Sequence, residues 1–97
     1  FGDLSLDMVT HRLYQNGQPV DLTNKEFALL EFFMRNLNTV LTRTQIAEHV
    51  WDYNFDSLTN VIDVFVNRLR NKIDKDRTHK LIHTIKGVGY IMKDERP

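Results

Sequence analysis

The chain alternates apolar and polar residues before it takes up a helical period. Gly2 to Asp7 sets Leu4 and Leu6 between polar neighbours, a period of two that predicts a short half-buried strand. A second strand is predicted over His11 to Gln15. Asn16-Gly17 follows it as a hairpin signal, because both central residues of a type I′ turn need positive φ. Pro19, Val20 and Leu22 return as a third short strand, with the proline tolerable at its start or on an edge. These runs predict a small antiparallel sheet.

From Thr23 the pattern becomes helical. Thr23-Asn24-Lys25-Glu26 is a capping box in which the hydroxyl and the carboxylate each accept from an otherwise unpaired N–H, with Leu22 and Phe27 at the staple positions. Phe27, Leu30, Phe33 or Met34, and Leu37 keep helical spacing, and Asn36 to Asn38 supply a stop. Thr42-Arg43-Thr44-Gln45 repeats the box with Leu41 and Ile46 as its staple, predicting a second, short helix from about Arg43 to Trp51. Asp52 to Phe55 interrupts the helical pattern and is longer than the turn of a compact helix-turn-helix.

Asp56 to Asp74 has the clearest amphipathic pattern in the chain. Wound at roughly 100° per residue, Leu58, Ile62, Val66, Leu69 and Ile73 form one stripe with Phe65 at its edge. Lys75 to Lys80 is a charged turn, and Leu81 to Met92 returns to β chemistry as a hairpin whose tip carries Gly87 and Gly89.

The side of the long helix opposite its apolar stripe carries Asn60, Val64, Asn67 and Asn71. Arg70, beyond Asp63, stands on one shoulder and Arg68 on the other. Amides both donate and accept, which suits an adenine edge, and a small apolar group suits a thymine methyl. Flanking arginines suit the phosphate walls of a groove. Two readings stand at this point: a DNA-reading face, or a solvated surface of low charge.

Net charge is zero, with thirteen acids against thirteen bases, which argues against a generally basic nucleic-acid binder. The distribution changes that picture. Phe1 to Asp63 holds four bases and nine acids, whereas Val64 to Pro97 holds nine bases and four acids, about −5 against +5. Ninety-seven residues suit one domain with one modest core. Without cysteine there is neither a disulfide nor a thiolate ligand, and a reducing cytosol is compatible. No apolar run approaches a membrane span, and no signal peptide opens the chain; the initial Phe suggests an excised or processed domain that follows an N-terminal part.

Other candidate chemistry is sparse. His79 and His83 straddle a predicted turn and strand and so share no helical face, while His11 and His49 have no evident partners. Gly87-Val88-Gly89 lacks the length and helix of a nucleotide-binding loop, and no nucleophile motif is present. No metal, cofactor or catalytic site is expected. Thr42, Arg43 and Thr44 at a helix start fit either phosphate binding or ordinary capping. Trp51 fits either packing or donation to phosphate. Tyr53 and Phe55 fit either the core or a protein contact. Lys86 beside the hairpin tip fits a minor groove or phosphate, and the competing view is a hairpin that only closes the core.

Four stretches in order, LTNKEFALLEFFM, LTRTQIAEHVW, NVIDVFVNRLRNKID and IHTIKGVGYIM, resemble the C-terminal effector domain of OmpR/PhoB-type response regulators of bacterial two-component systems, over essentially the whole chain. The resemblance implies an α+β winged helix-turn-helix: an N-terminal antiparallel sheet, three helices and a C-terminal β-hairpin wing in one domain spanning 1–97, with the receiver domain outside this chain. It implies cytoplasmic, sequence-specific binding to double-stranded promoter DNA, with the third helix in the major groove and the wing in the adjacent minor groove. Direct repeats would be bound by head-to-tail pairs.

Carried over by position, the helix contacts fall on Asn60, Val64, Asn67, Arg68 and Arg70, and the wing contacts on Thr84 and Lys86. The loop Asp52, Tyr53, Asn54 and Phe55 falls where the family touches RNA polymerase. Control would come through a phosphorelay from a cognate sensor histidine kinase to the receiver. Asn60 and Asn67 replace bases found in many relatives, and Lys86 replaces an Arg, which implies weaker affinity per domain and a looser minor-groove fit. VWDYNFDSLTNVIDV further resembles the copper and heavy-metal-responsive branch, in which the partner kinase senses the metal. The rival expectations are a winged helix used only for protein contact and a small metal-dependent enzyme.

Overall fold

The computed structural model describes residues 4–51, 59–75 and 80–93, with side chains of the long helix described from Val61 onward. Strands β1 (Leu4–Asp7), β2 (Arg12–Gln15) and β3 (Gln18–Val20) form an antiparallel sheet in that order. Its register sets Leu6 opposite Leu13 and Leu13 opposite Val20, so the apolar residues share the inner face. Asn16 and Gly17 carry φ of 53° and 78°, as a type I′ turn requires. Pro19 lies on β3, an edge strand, where its missing N–H costs no ladder bond. The second strand starts one residue later than the alternation predicts, because His11 has φ of 55°. Leu22 lies beyond the third strand, in the extended segment that leads into the first helix.

Helix α1 (Asn24–Arg35) opens with the expected capping box. Thr23 Oγ1 accepts from the Glu26 N–H at 3.2 Å, and Glu26 Oε1 accepts from the Thr23 N–H at 2.9 Å. Its inner side, Phe27, Leu29, Leu30 and Phe33, is buried. Asn36 caps its end, and Asn38 takes φ of 63°, as the stop signal implies.

Two features differ from the sequence expectation. Leu41–Thr42 forms a short strand, β4, which pairs with the last strand of the chain. The second helix begins as expected, with Thr42 and Gln45 making a full capping box, but only α2 (Arg43–Ile46) is α-helical. Ala47–Trp51 continues it as a π-helical segment. A wider turn of this kind reorients side chains locally. Here Ile46, Ala47 and Val50 stay buried, and Trp51 meets Phe65 edge to face with centroids 5.1 Å apart. The Val50 carbonyl near the end of the segment accepts from Lys25 Nζ at 2.9 Å, which satisfies one of the groups a helix end leaves open.

Helix α3 (Thr59–Ile73) lays Ile62, Val66, Leu69 and Ile73 into the core, each 2% exposed or less. Burial of such side chains stabilises the fold by about 1.5–3 kcal/mol apiece. Gln15 Nε2 donates to the Ile73 carbonyl at 3.0 Å and so ties the helix end to the first sheet. Asp74, buried, accepts from the Leu81 and Ile82 N–H groups and thereby fixes where the chain re-enters a sheet. Strands β5 (Ile82–Ile85) and β6 (Gly89–Met92) make the expected hairpin, with sheet order β4-β6-β5. Gly87 turns the tip with φ of 77°, and the Val88 N–H donates to the Ile85 carbonyl. Gly89 serves a different purpose: a Cβ there would stand 2.0 Å from the Leu41 carbonyl oxygen, so glycine is what lets β4 pair with β6.

Candidate nucleic-acid interface

The buried stripe of α3 dictates what the helix shows to solvent. With Ile62, Val66 and Leu69 inward, Val64, Asn67, Arg68 and Asn71 are exposed. Val64 is 46% exposed in a helix whose inner side is essentially closed to water. The Asn60 side chain and the loop Asp52, Tyr53, Asn54 and Phe55 lie outside the described residues, as does His79. Arg68 holds its guanidinium 5.2 Å from the Phe65 ring centroid, which places the charge along the outer shoulder of the helix. Trp51 is half-buried against Phe65, with Lys25 Nζ 5.8 Å from its ring. Of the two alternatives for Trp51, packing is therefore present.

The other shoulder is tied to the hairpin. Arg70, half-buried, donates through Nη2 to Thr84 Oγ1 on β5 and stacks its guanidinium 5.1 Å from the Tyr90 ring. Arg43 lies on the same ring at 5.4 Å and donates through Nε to Asp63 Oδ1 at 2.9 Å. The Tyr90 hydroxyl donates to that same carboxylate oxygen. Thus the sequence candidates Arg43, Arg70 and Thr84 are brought together around a buried tyrosine, with Thr42, half-buried, beside them as the cap of α2. Lys86 is exposed at the hairpin tip next to Val88, also exposed. Tyr90 is buried and Ile85 half-buried; the register pairs Tyr90 with Thr84, so Ile85 points to the opposite face of the hairpin.

Asp63 and Tyr90 are the residues that sequence reasoning missed as a centre. A signal was present: Asp63 is the single acid between Thr59 and Ile73, a segment that also holds Arg68, Arg70 and Lys72. Burial alone would raise the Asp63 carboxyl, but the hydrogen bonds from Tyr90 and Arg43 outweigh it and hold its pKa below the ordinary aspartate value. Burial, and then the bond to Asp63, push the Tyr90 phenol up. The bond to Asp63 raises the Arg43 guanidinium, which keeps it charged throughout the physiological range.

Between the end of α3 and β5 runs an open groove of about 460 Å³, lined by Arg70, Asn71, Lys75, Lys80, His83 and Thr84 among others. It lies between the helix and the hairpin, and its bases Arg70, Lys75 and Lys80 stand beside the acid Asp74 and the apolar Ile82. Among the described residues, no helix is long and apolar enough to cross a membrane.

Known proteins resemble this chain in sequence and fold. The family described as "Transcriptional regulatory protein, C terminal" matches residues 17–92. The transcriptional regulatory protein CusR of Escherichia coli K12 is 54% identical over 91 residues, covering 94% of this chain and 40% of CusR, so the chain spans about 40% of that relative's length. The DNA-binding domain of CpxR from E. coli superposes with a TM-score of 0.86 at 28% identity, covering 98% of this chain and 94% of that one. The DNA-binding domain of the response regulator AdeR, solved in complex with an intercistronic region, gives 0.84 at 26% identity, covering 96% of each. With sequence, element order and hairpin in agreement, the chain belongs to the transcriptional regulatory protein C-terminal family, the winged-helix effector domains of OmpR/PhoB-type response regulators.

Proposed function

We propose that this chain binds double-stranded promoter DNA in a sequence-specific manner as the effector domain of a two-component transcriptional regulator. The observation that carries this is the outer face of α3: an amide-rich surface with one exposed valine, set on a helix anchored by four buried residues and flanked by arginines. A rigid helix of this kind positions base-reading groups in a major groove. Asn60, Val64 and Asn67 read base edges. Arg68, Arg70, Arg43, Thr42 and Trp51 meet the backbone, and Thr84 and Lys86 bring the hairpin to the neighbouring minor groove.

In the whole regulator, a receiver phosphorylated by its cognate sensor histidine kinase controls this domain. Two copies bind direct repeats head to tail, and Asp52, Tyr53, Asn54 and Phe55 touch RNA polymerase in the cytoplasm. Similarity to CusR supports placing the regulator in the copper and heavy-metal-responsive branch.

The test compares Asn67→Ala with Arg68→Ala on a duplex selected from random DNA and on a random duplex of equal length. Asn67→Ala is expected to cost about 1–3 kcal/mol on the selected duplex and far less on the random one. Arg68→Ala is expected to weaken both alike and to reduce the salt slope by about one. Equal losses from both variants on both duplexes would remove the division between base and phosphate contacts.

A further inference from the structure

The assembly around Tyr90 joins three parts of the molecule whose relative placement decides how a helix and a hairpin meet one duplex. Arg43 comes from the start of α2, Asp63 and Arg70 from α3, and Thr84 and Tyr90 from the two strands of the hairpin. A single carboxylate oxygen, Asp63 Oδ1, takes hydrogen bonds from both Arg43 and Tyr90. The ring that this bond orients carries a guanidinium 5.4 Å away from α2 and another 5.1 Å away from α3. The second of these continues to Thr84. Asp63 keeps roughly a third of its side-chain surface exposed, on the shoulder between Asn67 and Arg70.

That exposure poses an electrostatic problem. A carboxylate beside a phosphate-facing surface repels DNA of any sequence, and its removal would strengthen binding in general. Nor is it needed to fill the core, since Ile62 and Val66 close the core-facing side of the helix next to it.

We propose that Asp63 is a positioning residue for DNA recognition: it fixes Arg43 directly and Arg70 through Tyr90, so that α3 and the hairpin meet the duplex in one pose. This rests on the DNA-binding reading of the same surface. Arginines held in a fixed pose reach phosphates only when the helix sits in register, whereas released arginines follow phosphates in any register. The carboxylate therefore exchanges general affinity for discrimination. Arg43 and Arg70 act as backbone contacts of set geometry, and Tyr90 transmits the set between the two helices.

The test uses the whole chain and two probes: a duplex selected from random DNA by the unaltered chain, and a random duplex of equal length, each titrated across a range of salt. Asp63→Asn is expected to tighten the random duplex by about threefold to tenfold, and the selected duplex by less, so that their ratio falls. Tyr90→Phe keeps the charge at Asp63 but cuts the link, and it is expected to weaken the selected duplex more than the random one. Tyr90→Phe also decides the matter if Asp63→Asn does not fold. An unchanged ratio in Tyr90→Phe, or equal shifts on both duplexes in Asp63→Asn, would overturn the assignment. An unaltered chain that binds neither duplex would instead overturn the DNA reading, and the positioning role with it.

Discussion

Two carboxylates tie α3 to the rest of the molecule, and their surroundings differ. Glu26, 2% exposed, closes the capping box of α1 and pairs at 2.6 Å with Nζ of Lys72 on α3, whose own side chain stays about a third exposed. Asp63 pairs with Arg43 at 2.9 Å, but both side chains retain about a third of their exposure, and the pair borders the outer face of the helix. A buried carboxylate that loses its partners is left unsatisfied, so the role of Glu26 is read in folding. A half-open pair gains little stability from solvent-screened attraction, so a role for it must be sought in what approaches from outside. Glu31 and Arg35, an i, i+4 pair within α1 whose arginine is largely exposed, give a third case in which little stability is gained.

This comparison can be broken first at Glu26. Glu26→Ala removes a cap and an ion pair together, and is expected to lower stability by about 3 kcal/mol in denaturant titration while leaving the ratio of selected to random DNA binding intact. A changed ratio with little loss of stability would reverse the roles given to the two carboxylates.

Acid titration sharpens the same point. Burial would raise the Glu26 carboxyl, but the bonds from Lys72 and from the Thr23 N–H outweigh it and hold its pKa below the usual value. A carboxylate depressed in the folded state contributes stability above its unfolded pKa of about 4.3, and that contribution is lost as pH falls through the lower folded value. Asp63 is depressed as well, so the whole chain should lose stability progressively below about pH 4, and Glu26→Gln should flatten that loss more than Asp63→Asn does. Parallel pH profiles for the two variants would contradict the contrast. The smallest expected effect is at the i, i+4 pair within α1: Glu31→Gln should change stability by less than about 0.5 kcal/mol, and a larger loss would mean that the pair holds the helix more firmly than a local surface pair does.

What the sequence made legible follows the range of each interaction. Both capping boxes, the Asn16-Gly17 turn and the buried stripe of α3 from Ile62 to Ile73 are local patterns, and each is present where the residues imply it; Leu58, which the spacing put on the same stripe, lies outside the described residues. The family resemblance, carried by four such stretches, is likewise met by the match over residues 17–92. The pairing of Leu41 with Tyr90 was not legible, since two residues carry no period and their partner strand lies far along the chain. The π-helical segment was also missed, because Ala47 to Trp51 keeps apolar spacing compatible with an ordinary helix. At the candidate interface, the exposed face of α3 was readable from its spacing. The Asp63 assembly joins residues 20 and 27 positions apart, so only the folded chain brings it together.

Whether the outer face of α3 reads DNA is decided by repeated selection of bound duplexes from a random pool by the unaltered chain. Enrichment of one recurrent sequence is expected, with binding that weakens steeply as salt rises. Recovery of a pool with no enriched sequence, or binding that ignores salt, would contradict that reading.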